Sequence, residues 1–146
     1  MDERKRRERK VAKAHGGKAQ PASGSMHWFP RDVLRRGVFM MEHKSTEKNH
    51  YYFDIRDFTF LERQCQEPLA IYCIEFSGIA APTYIVPADM LLEEFPYQES
   101  DTWRKKILPG EADYCLCFTR INKRVIVLSA DKARQLIDEV ASGNGR

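Results

Sequence analysis

A chain of 146 residues, 42% hydrophobic and 31% charged, has room for one domain with a real core and an ordinary water-facing surface. Its apolar runs fall far short of the roughly twenty residues that a spanning helix needs, and no apolar stretch follows the N-terminal charges, so neither a membrane segment nor a secretory signal is expected. The net charge is only +3, but residues 1–20 hold eight Lys/Arg against three acids, which leaves about −2 for the rest. Such asymmetry suits either a basic element that meets a polyanion or a solvated tail.

Residues 2–15 are rich in helix formers and lack Pro and Gly, so they read as a polar, basic helix ended by Gly16-Gly17. Residues 21–26 read as a loop. Val33-Leu34 and Val38 to Met41 follow as two strands around an Arg35-Arg36-Gly37 turn, and the second runs into Glu42-His43-Lys44. Residues 45–50 are a loop or a strand end, and Tyr51-Tyr52-Phe53 is β-prone. Asp54 suits the N-cap of a helix over about 55–66, with Ile55, Phe58, Leu61 and Cys65 on its apolar face. Phe58 and Phe60 fall on different faces of that helix, which suits one to the core and the other to an interface.

Leu69 to Phe76 carries one charge and reads as a strand buried on both faces, with Thr83 to Val86 as another. Pro87 stands where a helix over 88–95 would begin. Residues 96–111 read as a connection with a helical turn around Trp103 to Leu108. Strands over 113–119 and 124–128 then form a hairpin, and Ser129 caps a last helix bearing Ala133, Leu136, Ile137, Val140 and Ala141, ended by Gly143. The order predicts an α/β domain around a mixed central sheet flanked by helices, organised as a basic helix over 1–20, a core over 21–95 and a hairpin-and-helix extension over 96–146. Cys65, Cys73, Cys115 and Cys117 form no CxxC pair and are expected to be reduced, mostly as small core hydrophobes of a cytosolic protein.

The chemistry-bearing cluster is Asp32 with Glu42-His43-Lys44. Residues 42 and 44 share a side of their strand, whereas His43 turns to the other and leaves its carbonyl available. A hard divalent cation prefers such oxygen ligands, and a nearby ammonium can position a water and balance developing charge. An E-x-K triplet is common by chance, and on an exposed strand it is more often a solvated ion pair.

Its surroundings resemble a known pattern. Arg6-Arg7-Glu8-Arg9, Gly16-Gly17, Ser23-Gly24-Ser25, Asp32 and Glu42-His43-Lys44-Ser45-Thr46, in that order, resemble the PD-(D/E)xK nuclease superfamily, most of all archaeal Holliday-junction resolvases and small phage nucleases. The match covers residues 6–46 well and 50–95 loosely. Residues 96–146 are not part of it, and Arg31 stands where the pattern has Pro.

The resemblance implies a restriction-endonuclease-like fold and a Mg²⁺-dependent endonuclease, with Mn²⁺ as a substitute, that cuts branched DNA in recombination and repair. Asp32, Glu42 and the His43 carbonyl would hold the metal and Lys44 would orient the attacking water. Glu8 would add an acidic ligand or water contact, and Ser23 or Ser25 would touch phosphate near the scissile bond. Arg4, Arg6, Arg7, Lys10, Lys13 and Lys18 would neutralise backbone phosphates. The expected assembly is a homodimer on branched or duplex DNA, in the cytoplasm of a bacterial, archaeal or phage-infected cell. Trp28 and Phe29 suit core or dimer contacts, and His27, Lys48 and His50 are weaker candidates for phosphate. Two rival readings stay open: a nuclease of the same fold with another DNA substrate, and a non-catalytic DNA-binding or adaptor protein on that scaffold.

Overall fold

The computed structural model describes residues 18–19, 33–79 and 81–143. Their backbone forms ten strands and two α-helices. These are β1 (Lys18–Ala19), β2 (Val33–Arg35), β3 (Phe39–Thr46), β4 (Tyr51–Asp54), α1 (Ile55–Gln64), β5 (Leu69–Phe76), β6 (Thr83–Pro87), β7 (Tyr97–Ser100), β8 (Arg104–Ile107), β9 (Tyr114–Phe118), β10 (Lys123–Leu128) and α2 (Ala130–Ala141). The expected helix over 2–15 and the loop over 21–26 lie outside the described residues.

Eight strands make one mixed sheet in the order β1-β2-β3-β5-β6-β10-β9-β7, while β4 and β8 pair apart as a two-stranded ribbon. Within the large sheet β3 runs parallel to β5, and β7 to β9. The parallel β3–β5 step needs a long crossover, which β4 and α1 supply. The expected α/β class with a mixed sheet flanked by helices is what the chain adopts.

Period-two alternation along the strands divides the core between the two faces of the sheet. Phe39, Met41, Ile71, Cys73, Val86, Ile126 and Leu128 fill one layer with Leu136, Ile137 and Val140 of α2. Met40, Tyr72, Ile74, Ile85, Leu116 and Val127 fill the other, under Phe58 and Leu61 of α1 and Phe53 and Ile107 of the ribbon. Phe58 is fully buried and Phe60 is 42% exposed, so the two helix faces do differ. All four cysteines are free thiols, two buried and two half-buried. No helix among the described residues is long and apolar enough to cross a membrane.

Local chemistry explains the sharpest boundaries. The Asp54 carboxylate accepts from the Arg56 N–H at 2.9 Å and caps α1. Ser129 caps α2 by accepting from the Lys132 N–H. Gly37, at φ +79°, lets the chain reverse between β2 and β3.

Four expectations fail. Lys18–Ala19, inside the segment expected as a basic helix over 1–20, pairs with β2 as strand β1, and Tyr97–Ser100, expected as connection, pairs with β9 as strand β7. The helix over 88–95 is a single 3₁₀ turn, Ala88–Met90. Pro96 disfavours helical backbone at Phe95, and Met90, Leu91 and Phe95 reach the α2 layer from a largely extended chain. The helical turn around Trp103 to Leu108 is instead strand β8, because pairing with β4 buries Ile107 completely.

Candidate active site

Strand β3 builds the site, and its register fixes which atoms face where. The Val38 carbonyl accepts from the Leu69 N–H at 3.1 Å, and the Thr46 carbonyl from the Ser77 N–H at 2.9 Å. Main-chain groups alternate along a strand, so even-numbered residues of β3 turn theirs toward β5 and odd-numbered residues toward the β2 side. His43 is odd-numbered, so its carbonyl points to the β2 side, clear of the β5 ladder.

The side chains separate by the same alternation. Glu42 and Lys44 share the face of Met40, and Glu42 Oε2 lies 3.3 Å from Lys44 Nζ. Glu42 is 12% exposed and Lys44 36%, so the pair stands at the rim of the layer, open to water on the lysine side. His43 is completely buried on the opposite face, with Nε2 3.8 Å from Glu75 Oε1 of β5. The expected split within the triplet, two side chains to one side and a histidine to the other, is present.

Two tyrosines and a second acid complete the environment of the Glu42–Lys44 pair. Tyr72 stands opposite Glu42 in the β3–β5 register, and its hydroxyl is 2.6 Å from that of Tyr51 at the start of β4. Burial pushes the Tyr51 phenol up, the Tyr72 hydrogen bond and the Lys44 charge pull it down, and Asp57 and Glu42 push it up again. Tyr72, deeper still, is raised by burial and then by Tyr51, with Asp57 and Glu42 adding to it. The Asp57 carboxyl, in the first turn of α1, is raised by burial and by neighbouring Asp54, against Lys44, Arg56 and Arg104. Lys44 therefore acts on Tyr51 and Asp57 as well as on Glu42, and the crossover through β4 and α1 brings these groups over one face of β3.

Sequence reading missed Asp57, Tyr51 and Tyr72 as neighbours of the triplet. Asp57 carries a helix-start signal and the tyrosines a strand signal, and neither signal contains the crossover that brings them together.

The remaining candidates divide between placed and unplaced. Asp32, Glu8, Ser23, Ser25, Arg4, Arg6, Arg7, Lys10, Lys13, His27, Trp28 and Phe29 lie outside the described residues, as does the side chain of Lys18. Val33, the sequence neighbour of Asp32, pairs with Met41, the residue before Glu42. Lys48 and His50 sit on the exposed link between β3 and β4, where the His50 ring meets that of Tyr52 edge-on at 5.3 Å.

Among the described residues no three His, Cys, Asp or Glu side chains gather closely enough to hold a metal. The Glu42 carboxylate and the His43 carbonyl are hard oxygen donors suited to Mg²⁺, and a complete set needs a further ligand from elsewhere in the chain. Comparison with protein-family models, curated proteins and solved structures finds no match to this chain.

Proposed function

We propose that this chain is a Mg²⁺-dependent endonuclease of restriction-endonuclease-like fold, with Glu42 and Lys44 at its active site and branched DNA as its substrate. The observation that carries the reading is the pairing of Glu42 with Lys44 at a half-open rim of β3, on a strand that aims the His43 carbonyl to the β2 side. The β2–β3 hairpin followed by a helical crossover to a parallel β5 supports the fold assignment.

The reading requires Asp32 to continue the β2–β3 pairing and stand opposite Glu42. Asp32, Glu42 and the His43 carbonyl would then hold Mg²⁺, which when bound supplies Lewis-acid polarisation of the scissile phosphate. Glu42 is held in the half-buried rim, where its charge is screened less than in open water. Lys44, on the same face and more exposed, orients the attacking water and balances the charge that builds on the phosphate oxygens. Ser23 or Ser25 would contact phosphate near the cut, and Glu8 would add an acidic contact. The four-way junction as the preferred substrate, and a homodimer spanning it, rest on the resemblance described above.

The test is cleavage of a labelled four-way junction in Mg²⁺ or Mn²⁺ beside flap and linear duplex controls. Glu42→Ala, Lys44→Ala and Asp32→Asn are each expected to lower cleavage by roughly a hundredfold or more while duplex affinity is largely kept. Full activity in Glu42→Ala or Lys44→Ala would overturn the assignment. Calorimetry with Mn²⁺ gives a second readout: the wild type should bind and Glu42→Ala should not.

A further inference from the structure

The resemblance leaves residues 96–146 without a role, and it is there that the fold builds a second basic surface. Residues 103–108 carry three cations and no acid, and residues 119–124 likewise. The fold brings part of both runs to one place. Strand β8 pairs antiparallel with β4, setting Lys106 opposite Tyr52 and Arg104 opposite Asp54. Phe53 and Ile107 point inward and are completely buried, so Tyr52, Lys106 and Arg104 point outward. Tyr52 is 55% exposed.

At the end of this ribbon the Trp103 ring lies near two guanidinium groups. Arg56 of α1 lies 5.3 Å and Arg120 of the β9–β10 turn 5.7 Å from its ring centroid. Asp54 bridges Arg56 at 2.6 Å and Arg104 at 3.4 Å, which fixes both side chains while neutralising only one of the two charges. The Arg120 N–H donates to the Asp101 carbonyl at 2.9 Å, so its guanidinium is held as well. Lys123, in contrast, is committed to Glu62 at 2.7 Å, and Arg124 turns to the other side of the sheet over Tyr97.

We propose that the outward face of the β4–β8 ribbon, with Tyr52, Lys106 and Arg104, together with Arg56 and Arg120 beside the half-buried Trp103 at its end, is a docking surface for the phosphate backbone of a DNA duplex arm. Guanidinium groups already fixed by a carboxylate or a carbonyl lose little freedom on meeting a phosphate and present several N–H donors to it. The surface adjoins the candidate active site: Tyr51 precedes Tyr52 on the same strand, and its inward hydroxyl meets Tyr72, which stands opposite Glu42. A duplex on the ribbon is thus anchored beside the Glu42–Lys44 rim. The proposal rests on the nuclease reading for its choice of DNA, and it gives the region beyond residue 95 a function as the arm-holding element.

The experiment is fluorescence anisotropy of a labelled DNA duplex against full-length protein at a series of salt concentrations. The variants are Lys106→Gln with Arg120→Gln, Tyr52→Ala, and Arg134→Gln on the exposed side of α2, over the opposite face of the sheet. Lys106, Arg120 and Arg134 are all exposed, so unfolding temperatures should stay at the wild-type value. The double variant should bind roughly tenfold or more weakly at low salt, and its log-affinity against log-salt slope should fall by about two. Tyr52→Ala should weaken binding without changing the slope, and Arg134→Gln should match the wild type.

An unchanged slope and affinity in the double variant, or a wild type that binds no duplex, overturns the ribbon. The two readings fail separately. Glu42→Ala should keep the full salt slope, and a protein whose binding depends on the ribbon but which never cleaves would leave the ribbon standing and remove the nuclease. A protein that cleaves while the double variant binds normally would do the reverse.

Discussion

Adjacent residues of β3 belong to different layers, and this separates what each can do. Glu42 and Lys44 face the layer that carries Tyr51, Tyr72 and Asp57, whereas His43 is buried with Met41 and Cys73 under α2. If His43 serves the site only through its carbonyl, its side chain matters for stability alone, through packing and its contact with Glu75. His43→Ala is therefore expected to lose about 2 kcal/mol or more of stability, since it opens a cavity beside Glu75, yet to bind Mn²⁺ as the wild type does. Urea unfolding and calorimetry on the same variant separate the two effects, and a loss of metal uptake in a folded protein would refute the division.

Asp54 gives a second residue-scale case. Its hydrogen bonds with Arg56, against a smaller opposing effect of burial, hold its carboxyl down to about 2 from an ordinary 3.8. A carboxyl lowered on folding stabilises the protein above its unfolded value and loses that contribution as pH falls through the folded one. Asp54→Ala should cost roughly 1–2 kcal/mol at neutral pH, mostly as the lost N-cap of α1. The gap between wild type and variant in urea unfolding should narrow as the pH drops from about 4 toward about 2. A gap that stays constant over that range would mean the charge contributes nothing.

Elements here are set partly by local chemistry and partly by what they pack against. The β2–β3 hairpin is local. Gly37 has a positive φ with open space around the position a Cβ would occupy, and its N–H donates to Glu67 at 2.6 Å. Gly37→Ala should therefore cost about 1 kcal/mol from backbone strain alone, with no added clash. Denaturant midpoints would check this, and Gly37→Asn should recover part of the loss because Asn tolerates that conformation.

Helices α1 and α2 were legible for the same local reason: a polar cap precedes each, and apolar residues recur at helical spacing. The segments over 88–95 and 103–108 were not. Arg104-Lys105-Lys106-Ile107 has no strand pattern of its own, and only the β4 partner, with the buried Phe53 and Ile107, makes it one. Pro87 suits the start of a helix, but Leu92 is fully exposed and Leu91 reaches the core from extended backbone.

At the scale of the whole molecule, residues 96–143 are integral to the sheet and to both core layers. Strand β10 pairs with β6 in the middle of the large sheet, and β9 and β7 extend it to that edge. Both core layers draw on this region, one through Leu128 and α2, the other through Ile107, Leu116 and Val127. A chain truncated after residue 95 would expose one long edge of β6 and both half-built layers, so it is expected not to fold. Circular dichroism and limited proteolysis of the 1–95 fragment would check this, and a cooperative unfolding transition in the fragment would refute it.

The sequence by itself determined the α/β class, the alternation that turns Glu42 and Lys44 to one side and His43 to the other, and the caps of both helices. Each depends on residues within a turn or two of one another, where strand and helix periods act directly. Only the tertiary structure decided that Tyr51, Tyr72 and Asp57 surround the Glu42–Lys44 pair, and that β8 stands against β4 with its cations outward. Those contacts join residues from 7 (Lys44 and Tyr51) to 56 (Tyr51 and Ile107) apart in the chain, and they are selected by burial of apolar surface between elements, which no local pattern encodes.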